Sequence, residues 1–452
     1  MSKRLHDKKS YLKDLGNGLM LRQATSSDGE ALCNFNANIH QHEETSQPDE
    51  RVGVWARDLI ERPHPTFRPD DFTIVEDTST GAIVASMNLI SQTWSYAGIK
   101  FKVGRPELVG TAPDFRGRGL IRAQFETIHQ WSAQRGEMVQ AITGIPYYYR
   151  LFGYEMAMEM GGGRVGYKSL IPKLEAEERE PYHFRSADEP DLPFLEKLEA
   201  QANQRYLVSC IRDELMWRYE LTGRSPKNVN RREIKIIEDQ NGEAIGYLIH
   251  PPYRWEAMIP ATGYEIVSGC SLGDVTPSVI RYLFSKGNEY SIESGKDQDT
   301  DAFGFLLGSD HPVYKIFPDK LPRVRDPYAW YLRVPDLPGF IQHISPTLEA
   351  RLAISPLAGH SGELKLTFYR SGLRMVFKAG RIAEIGEWKP TPQGHSGDAG
   401  FPGLTFLQLV FGYRNLTDLK FAFADCWTKN DQVHALLEIL FPKLASRVWP
   451  VS

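Results

Sequence analysis

The chain carries one pattern twice. Leu21-Arg22-Gln23-Ala24 leads to Asp28, and Phe184-Arg185-Ser186-Ala187 leads to Asp191 with the same spacing. Further on, Ile74-Val75-Glu76-Asp77, a turn with Gly81 and then Ala82-Ile83 recur as Ile236-Ile237-Glu238-Asp239, a turn with Gly242 and then Ala244-Ile245. β-Branched runs separated by a polar, glycine-containing turn predict β-hairpins. Each opening motif is followed by a helical pattern. Two landmarks in the same order, at nearly the same offset, predict duplicated α/β units. A chain of 452 residues has room for about three domains. The seam between the repeats is placed at Gly166 to Pro181, which holds the charged run Glu175 to Glu180. The last stretch reads differently. Glu363 to Tyr369, Leu373 to Lys378 and Arg381 to Trp388 alternate apolar and polar residues around the turns Ser371-Gly372 and Ala379-Gly380. That predicts a three-stranded meander. Helical patterns follow at Leu404 to Phe411 and Val433 to Phe441, giving a third, α+β unit. The expected limits are 1–165, 166–333 and 334–452.

Bulk properties narrow the function. A formal net charge of -4 supplies no general basic field for nucleic acid. Cys33, Cys210, Cys270 and Cys426 are far apart and form no CxxC pair, so neither a zinc knuckle nor a disulfide framework is expected. Reduced thiols point to the cytoplasm. Met1 to Asp14 is basic and polar without an apolar core, unlike a secretion signal. The most apolar stretch, Leu404 to Phe411, is too short to span a bilayer.

The chemistry is concentrated in Leu108 to Tyr154. A strand, Leu108-Val109-Gly110-Thr111-Ala112-Pro113, runs into Asp114-Phe115-Arg116-Gly117-Arg118-Gly119-Leu120-Ile121-Arg122. A helix to about Arg135 follows, with Ile121, Phe125, Ile128 and Trp131 on one face. Gly136 ends it, and Met138 to Ile142 forms the next strand. Strand, basic glycine-rich turn and helix make a phosphate cradle. Glycines allow close backbone approach, and the free N–H groups and dipole of the first helical turn favour an anion. The turn is too short for a Walker loop, and Gly117-x-Gly119 lacks the third glycine of a dinucleotide fingerprint.

Arg116 and Gly119 instead fit motif A of the GNAT acetyltransferases, Arg/Gln-x-x-Gly-x-Gly/Ala, which binds the pyrophosphate of coenzyme A. Ile121 stands where Gly or Ala is usual. Val109 to Arg122, Tyr149-x-x-Phe152-Gly153-Tyr154 and the ending Phe441-Pro442 to Trp449-Pro450-Val451-Ser452 resemble the enhanced intracellular survival (Eis-like) family. The resemblance covers essentially the whole chain. It implies an α+β and α/β architecture of two tandem GNAT-like domains, mixed sheets flanked by helices. The first is catalytic and the second degenerate, and a sterol-carrier-protein-like domain follows. The implied activity is acetyl-CoA-dependent N-acetylation of primary amines on a small cationic acceptor, aminoglycoside- or polyamine-like. No metal is implied, and a homo-oligomer, possible as a hexamer, is. By the same resemblance Val109, Gly110 and Thr111 bond the pantetheine arm through the backbone. Gly117, Arg118, Gly119, Leu120, Ile121 and Arg122, with Arg116, hold the pyrophosphate, and Gly144 and Ile145 flank the thioester. Tyr149 is the general acid, with Tyr148 as runner-up, and the carboxylate of Ser452 is the base. The chemistry is sound in itself: a phenol can protonate a departing thiolate, and an ammonium acceptor needs a base.

Rival readings are a lipid- or hydrophobe-binding protein whose first domain senses acetyl-CoA, and a serine hydrolase using Ser271. Four strings invite false assignments. Gly161-x-Gly163-x-x-Gly166 is a literal dinucleotide string but is read as a loop, because a charged run and not a packed helix follows. Gly269-Cys270-Ser271-Leu272-Gly273 is a literal nucleophile elbow. It is set aside because the next helix is expected to start at Thr276-Pro277, and it is read as a decayed cofactor loop. Asp297-x-Asp299-x-Asp301 has Ala302 and Gly308 where a calcium loop needs Gly and Glu. His40, His42, Glu43 and Glu44 are read as an exposed polar loop rather than a metal site, with a role in acceptor binding left open.

Overall fold

The computed structural model describes residues 9–41, 47–175, 177–293, 300–391 and 396–448. The first unit contains β1 (Tyr11–Asp14), β2 (Leu19–Gln23), α1 (Gly29–Ile39), α2 (Glu50–Glu61) and β3 (Phe72–Asp77). It continues with β4 (Ala82–Tyr96), β5 (Ile99–Thr111), α3 (Leu120–Gln134), β6 (Val139–Ile142) and β7 (Glu155–Met160). Strands β1 to β5 pair in sequence, each antiparallel to the last, and β6 joins β5 in parallel. β4 and β5 are the longest strands and meet through Ala97-Gly98, both at positive φ, a turn that matches strand twist. The far end of this hairpin carries Trp94, Tyr96 and Phe101 into the core of the third unit. There Tyr96 and Phe101 meet Phe340, and the Tyr96 hydroxyl donates to the Val410 carbonyl at 2.8 Å.

Neither α/β sheet is closed by its own neighbours in sequence. Tyr328–Arg333 lies between β6 and β7, antiparallel to both. In return Gly163–Tyr167, immediately after β7, lies between Ala302–Phe305 and Arg323–Arg325 of the second unit. Each sheet thus holds a strand supplied by the other unit. This corrects one reading: within the Gly161-x-Gly163-x-x-Gly166 string, residues 163–166 are strand and not loop. Gly163 and Gly166 serve close packing. A Cβ on Gly163 would stand 2.1 Å from the Phe305 carbonyl oxygen, and one on Gly166 would stand 2.2 Å from that of Lys320.

The remainder of the second unit repeats the plan of the first. His183–Ser186, Glu233–Glu238, Ala244–His250 and Gly263–Ile266 pair antiparallel, and Pro260–Ala261 pairs in parallel with Ala302–Phe305 as β5 does with β6. The repeated sequence landmarks converge on one interaction. Arg22 donates to both carboxylate oxygens of Asp28, at 2.8 and 2.9 Å, and its Nε to Glu76 at 2.6 Å. Arg185 does the same with Asp191, at 2.6 and 2.7 Å, and with Glu238 at 2.7 Å. A second correction concerns the helix after Gly269. It begins at Leu272, not at Thr276, because Thr276 is buried with its hydroxyl 3.0 Å from that of Tyr264 and so caps nothing. Ser271 does stand at the corner before the helix, but no side chain among the described residues hydrogen-bonds its hydroxyl.

The meander is present as Gly362–Thr367, Gly372–Lys378 and Arg381–Glu387. The two expected helices are Phe406–Val410 and Asp431–Leu440. The sequence reading did not anticipate the helices Leu337–Ala353 and Leu416–Ala422.

The two charge clusters differ in burial. The Arg22 side chain is 2% exposed and that of Arg185 is 39% exposed. Burial alone would raise the carboxyls of Asp28 and Glu76. Bonds from Arg22 and Thr25 to the first, and from Lys9 and Arg22 to the second, outweigh it and hold both below the usual range. Their stabilisation is therefore complete above the unfolded carboxylate range near pH ~4 and is lost as pH falls through the lowered values. Arg22→Met should cost about 3–5 kcal/mol in urea unfolding and blunt the acid-side loss of stability. Arg185→Met should cost about 1 kcal/mol or less.

Candidate functional site

The site begins as a fault in a sheet. β4 and β5 pair regularly from their shared turn to Asn88 and Glu107, then slip by one residue, and Leu108 takes φ +52°. A bulge of this kind bends a strand away from its neighbour. β5 and β6 pair only at Val103–Val139 and Gly104–Gln140. Beyond that point they diverge, and the backbone of Val109, Gly110 and Thr111 is left facing a cleft of about 850 Å³.

The far wall comes from the residues after β6. Gly144 and Ile145 line it, and the one-turn 3-10 helix Tyr148–Phe152 places Tyr148 and Tyr149 there. Tyr149 is buried, edge-on to Phe125 of α3 and to Tyr331 of the intervening strand. A Cβ on Gly144 would lie 3.4 Å from its hydroxyl oxygen. Burial, with the phenols of Tyr148, Tyr328 and Tyr331 around it, pushes the Tyr149 hydroxyl well above its ordinary value. The proton therefore stays on oxygen at neutral pH, where it can be donated. Tyr148 is shifted upward too, by its own partial burial.

One end of the cleft is the basic turn before α3. Gly117 and Gly119 have φ +75° and +76°, and nothing lies within 4 Å of where either Cβ would be. Arg116, Arg118 and Arg122 line the same end. None has an acidic partner among the described residues; they rest on carbonyls or aromatic faces. Three uncompensated cations, open glycine backbone and the N-terminus of a four-turn helix fit a pyrophosphate. His40, Gln41 and Glu107 also line the cleft.

All the residues expected at the cofactor site, from Val109 to Ile145, line this one cleft, as does Tyr149. Ser452 lies outside the described residues, as do His42, Glu43 and Glu44. His40 differs from the exposed-loop expectation. It is half-buried at the end of α1, its Nε2 has no hydrogen-bond partner among the described residues, and burial lowers its pKa against a smaller opposing pull from Asp49. Glu107 was missed altogether. It is paired with the wholly buried guanidinium of Arg105 two residues earlier on β5. Alternation along a strand was the available signal, since residues 105 and 107 share a face.

Residues 20–157 match the acetyltransferase (GNAT) domain family. This part of the chain is a GNAT acetyltransferase domain. Such domains use acetyl-CoA, and the chain is accordingly an acetyltransferase that needs an acceptor. No curated protein sequence matches it. Solved structures share the whole fold at low identity. A GCN5-related N-acetyltransferase from Kribbella flavida superposes with a TM-score of 0.61 at 18% identity, over 95% of this chain and 97% of that one. A probable N-acyltransferase from Enterococcus faecalis V583 gives 0.61 at 14%, over 95% and 97%. Eis1 from Mycobacterium abscessus gives 0.56 at 13%, over 94% and 97%. At these identities the likeness speaks for the fold alone. Among the described residues no group of His, Cys, Asp or Glu could hold a metal ion, and no helix is long and apolar enough to cross a membrane.

Acetyl-CoA should raise the melting temperature, because a ligand bound only by the native state opposes unfolding. Arg116→Ala combined with Arg118→Ala should shrink that shift at a fixed acetyl-CoA concentration. Titration calorimetry should give one site per chain, since Gly269 to Gly273 has no Arg-x-x-Gly turn; two sites would contradict it.

Proposed function

We propose that the chain is an Eis-like N-acetyltransferase that moves acetyl from acetyl-CoA to a primary amine of a small cationic acceptor, aminoglycoside- or polyamine-like. The observation that carries this is the cleft itself, with a protonated, buried Tyr149 on one wall and unpaired arginines at one end. In this reading residues 1–165 are catalytic, 166–333 form a degenerate second GNAT-like domain and 334–452 a sterol-carrier-like domain. The protein acts as a cytoplasmic homo-oligomer. Val109 to Thr111 bond the pantetheine arm, Arg116 to Arg122 the pyrophosphate, and Gly144 and Ile145 flank the thioester.

The acceptor nitrogen loses a proton to a base and bonds to the thioester carbon. The carbon–sulfur bond breaks, and Tyr149 gives its proton to the departing sulfur. Solvent returns the proton to Tyr149. The base is the carboxylate of Ser452. Two features support that choice. The segment before it is firmly held: Leu207 and Arg447 donate backbone N–H groups to Ala445 and Val208, and the buried Arg447 guanidinium reaches Glu265 at 2.9 Å. This segment runs parallel to Val208–Cys210 and so antiparallel to β4, in the direction of the end that carries the bulge. The carboxylate of Glu107 and the neutral imidazole of His40 are suited to receive the acceptor.

An acceptor-panel assay with thiol detection tests the activity. Tyr149→Phe should lower kcat by roughly 100- to 10,000-fold and leave acetyl-CoA affinity nearly unchanged. Ser452→Ala should retain turnover, whereas amidation or a C-terminal tag should lower it sharply. A tagged enzyme with full turnover across the pH range would remove Ser452 and move the base to Glu107 or His40.

A further inference from the structure

We infer that Tyr331, carried on a strand that arrives from beyond the second unit, is a positioning residue for the proton donor Tyr149. The inference rests on the assignment of Tyr149 made above.

The segment that carries Tyr149 is awkwardly built. Tyr147, the residue before the 3-10 turn, sits at φ +67°, in the left-handed region that a tyrosine seldom occupies. The residue is 68% exposed and its ring rests against the Arg150 guanidinium, so burial does little to hold the conformation. Its N–H, however, donates to the hydroxyl of Tyr331 at 2.5 Å. Tyr331 is fully buried, paired with Ile142 on one side and Met156 on the other, and cannot move without the sheet. Its ring also meets the edge of Tyr149, with centroids 5.5 Å apart. Three residues back on the same strand, the Tyr328 hydroxyl donates to the Gly144 carbonyl at 3.1 Å. The crossing from Gly144 to Tyr147 is thus tied at both ends to Tyr328–Arg333.

A strained corner persists only when its surroundings over-determine it. Without the Tyr331 hydroxyl the corner can relax, and the single turn that follows it shifts with it. Tyr149 then leaves its place beside Gly144. The arginines of the basic turn bond within their own segment, Arg116 to the Thr111 carbonyl and Arg118 to that of Asp114, and not to the shifting corner. The predicted defect is therefore in proton donation and not in donor binding. Replacing tyrosine by phenylalanine keeps the ring, the burial and the strand pairing, and removes only the hydroxyl.

The test uses the full chain, comparing wild type, Tyr331→Phe, Tyr149→Phe and the double variant. Tyr331→Phe should lower kcat by about 10- to 100-fold, in line with the cost of a small misplacement at a reacting centre. The KM for acetyl-CoA and the acetyl-CoA-induced thermal shift should stay within about twofold. The double variant should be no slower than Tyr149→Phe alone, since two residues serving one step do not multiply. Both single defects should shrink with an aryl thioester donor, whose more acidic thiol needs no proton to leave. An impaired Tyr149→Phe beside a fully active Tyr331→Phe overturns the inference, as do multiplicative defects or an equal loss of donor binding. A fully active Tyr149→Phe overturns the reading of Tyr149 and this inference with it. Should Tyr331→Phe fail to fold, Tyr328→Phe on the partly exposed side of the same strand should show a smaller, kcat-only loss, and no loss there overturns the inference.

Discussion

The two α/β units each lack a strand and each hold the other's. Tyr328–Arg333 fills the gap between β6 and β7, and Gly163–Tyr167 fills the matching gap between Ala302–Phe305 and Arg323–Arg325. An unfilled gap would leave two rows of backbone N–H and C=O groups unpaired inside a sheet, which is costly where water is excluded. Each unit therefore depends on the other to satisfy its central hydrogen bonds. The candidate proton donor hangs from this arrangement, because the loop carrying it is bonded to a strand that comes from the far side of the second unit.

The cleft has a different physical origin. It is a region where sheet pairing stops: β5 slips against β4 at Leu108 and separates from β6 after Gly104. The same two strands are well paired at their other end, where Trp94, Tyr96 and Phe101 are buried in the third unit. A long hairpin clamped at one end and splayed at the other combines rigidity with an opening. Ligand-binding backbone is thus presented by a strand and not by a mobile loop, which favours precise geometry.

Local chemistry was legible in the sequence; long-range pairing was not. The repeat could be read because in both units one arginine bridges two carboxylates at fixed places, so Arg22, Asp28 and Glu76 left the same trace as Arg185, Asp191 and Glu238. The basic turn could be read because positive φ at two positions, separated by one residue, asks for Gly117 and Gly119. The exchange left only a faint mark. Gly163 and Gly166 are glycine because another backbone passes close by, and in the bare string they resembled a loop. The helix Leu337–Ala353 was hidden by Pro346 within it, a residue that argues against helix on local grounds. Thr276-Pro277 misled in the opposite way, offering a capping pair in the interior of a helix. Glu107 was overlooked because its importance comes from the bulge beside it, which no short-range pattern announces.

The exchange also bears on how such a chain can change over generations. A repeat without an Arg-x-x-Gly turn would ordinarily be free to disappear. Here, deleting residues 166–333 would take Tyr328–Arg333 away with it and open the sheet that carries the cleft. Trimming back to the first repeat would also strand Gly163–Tyr167 without its partners. The strand exchange alone gives the second repeat a structural reason to persist, whether or not it binds anything, and leaves its surface free to drift so long as its strands still interlock with those of the first.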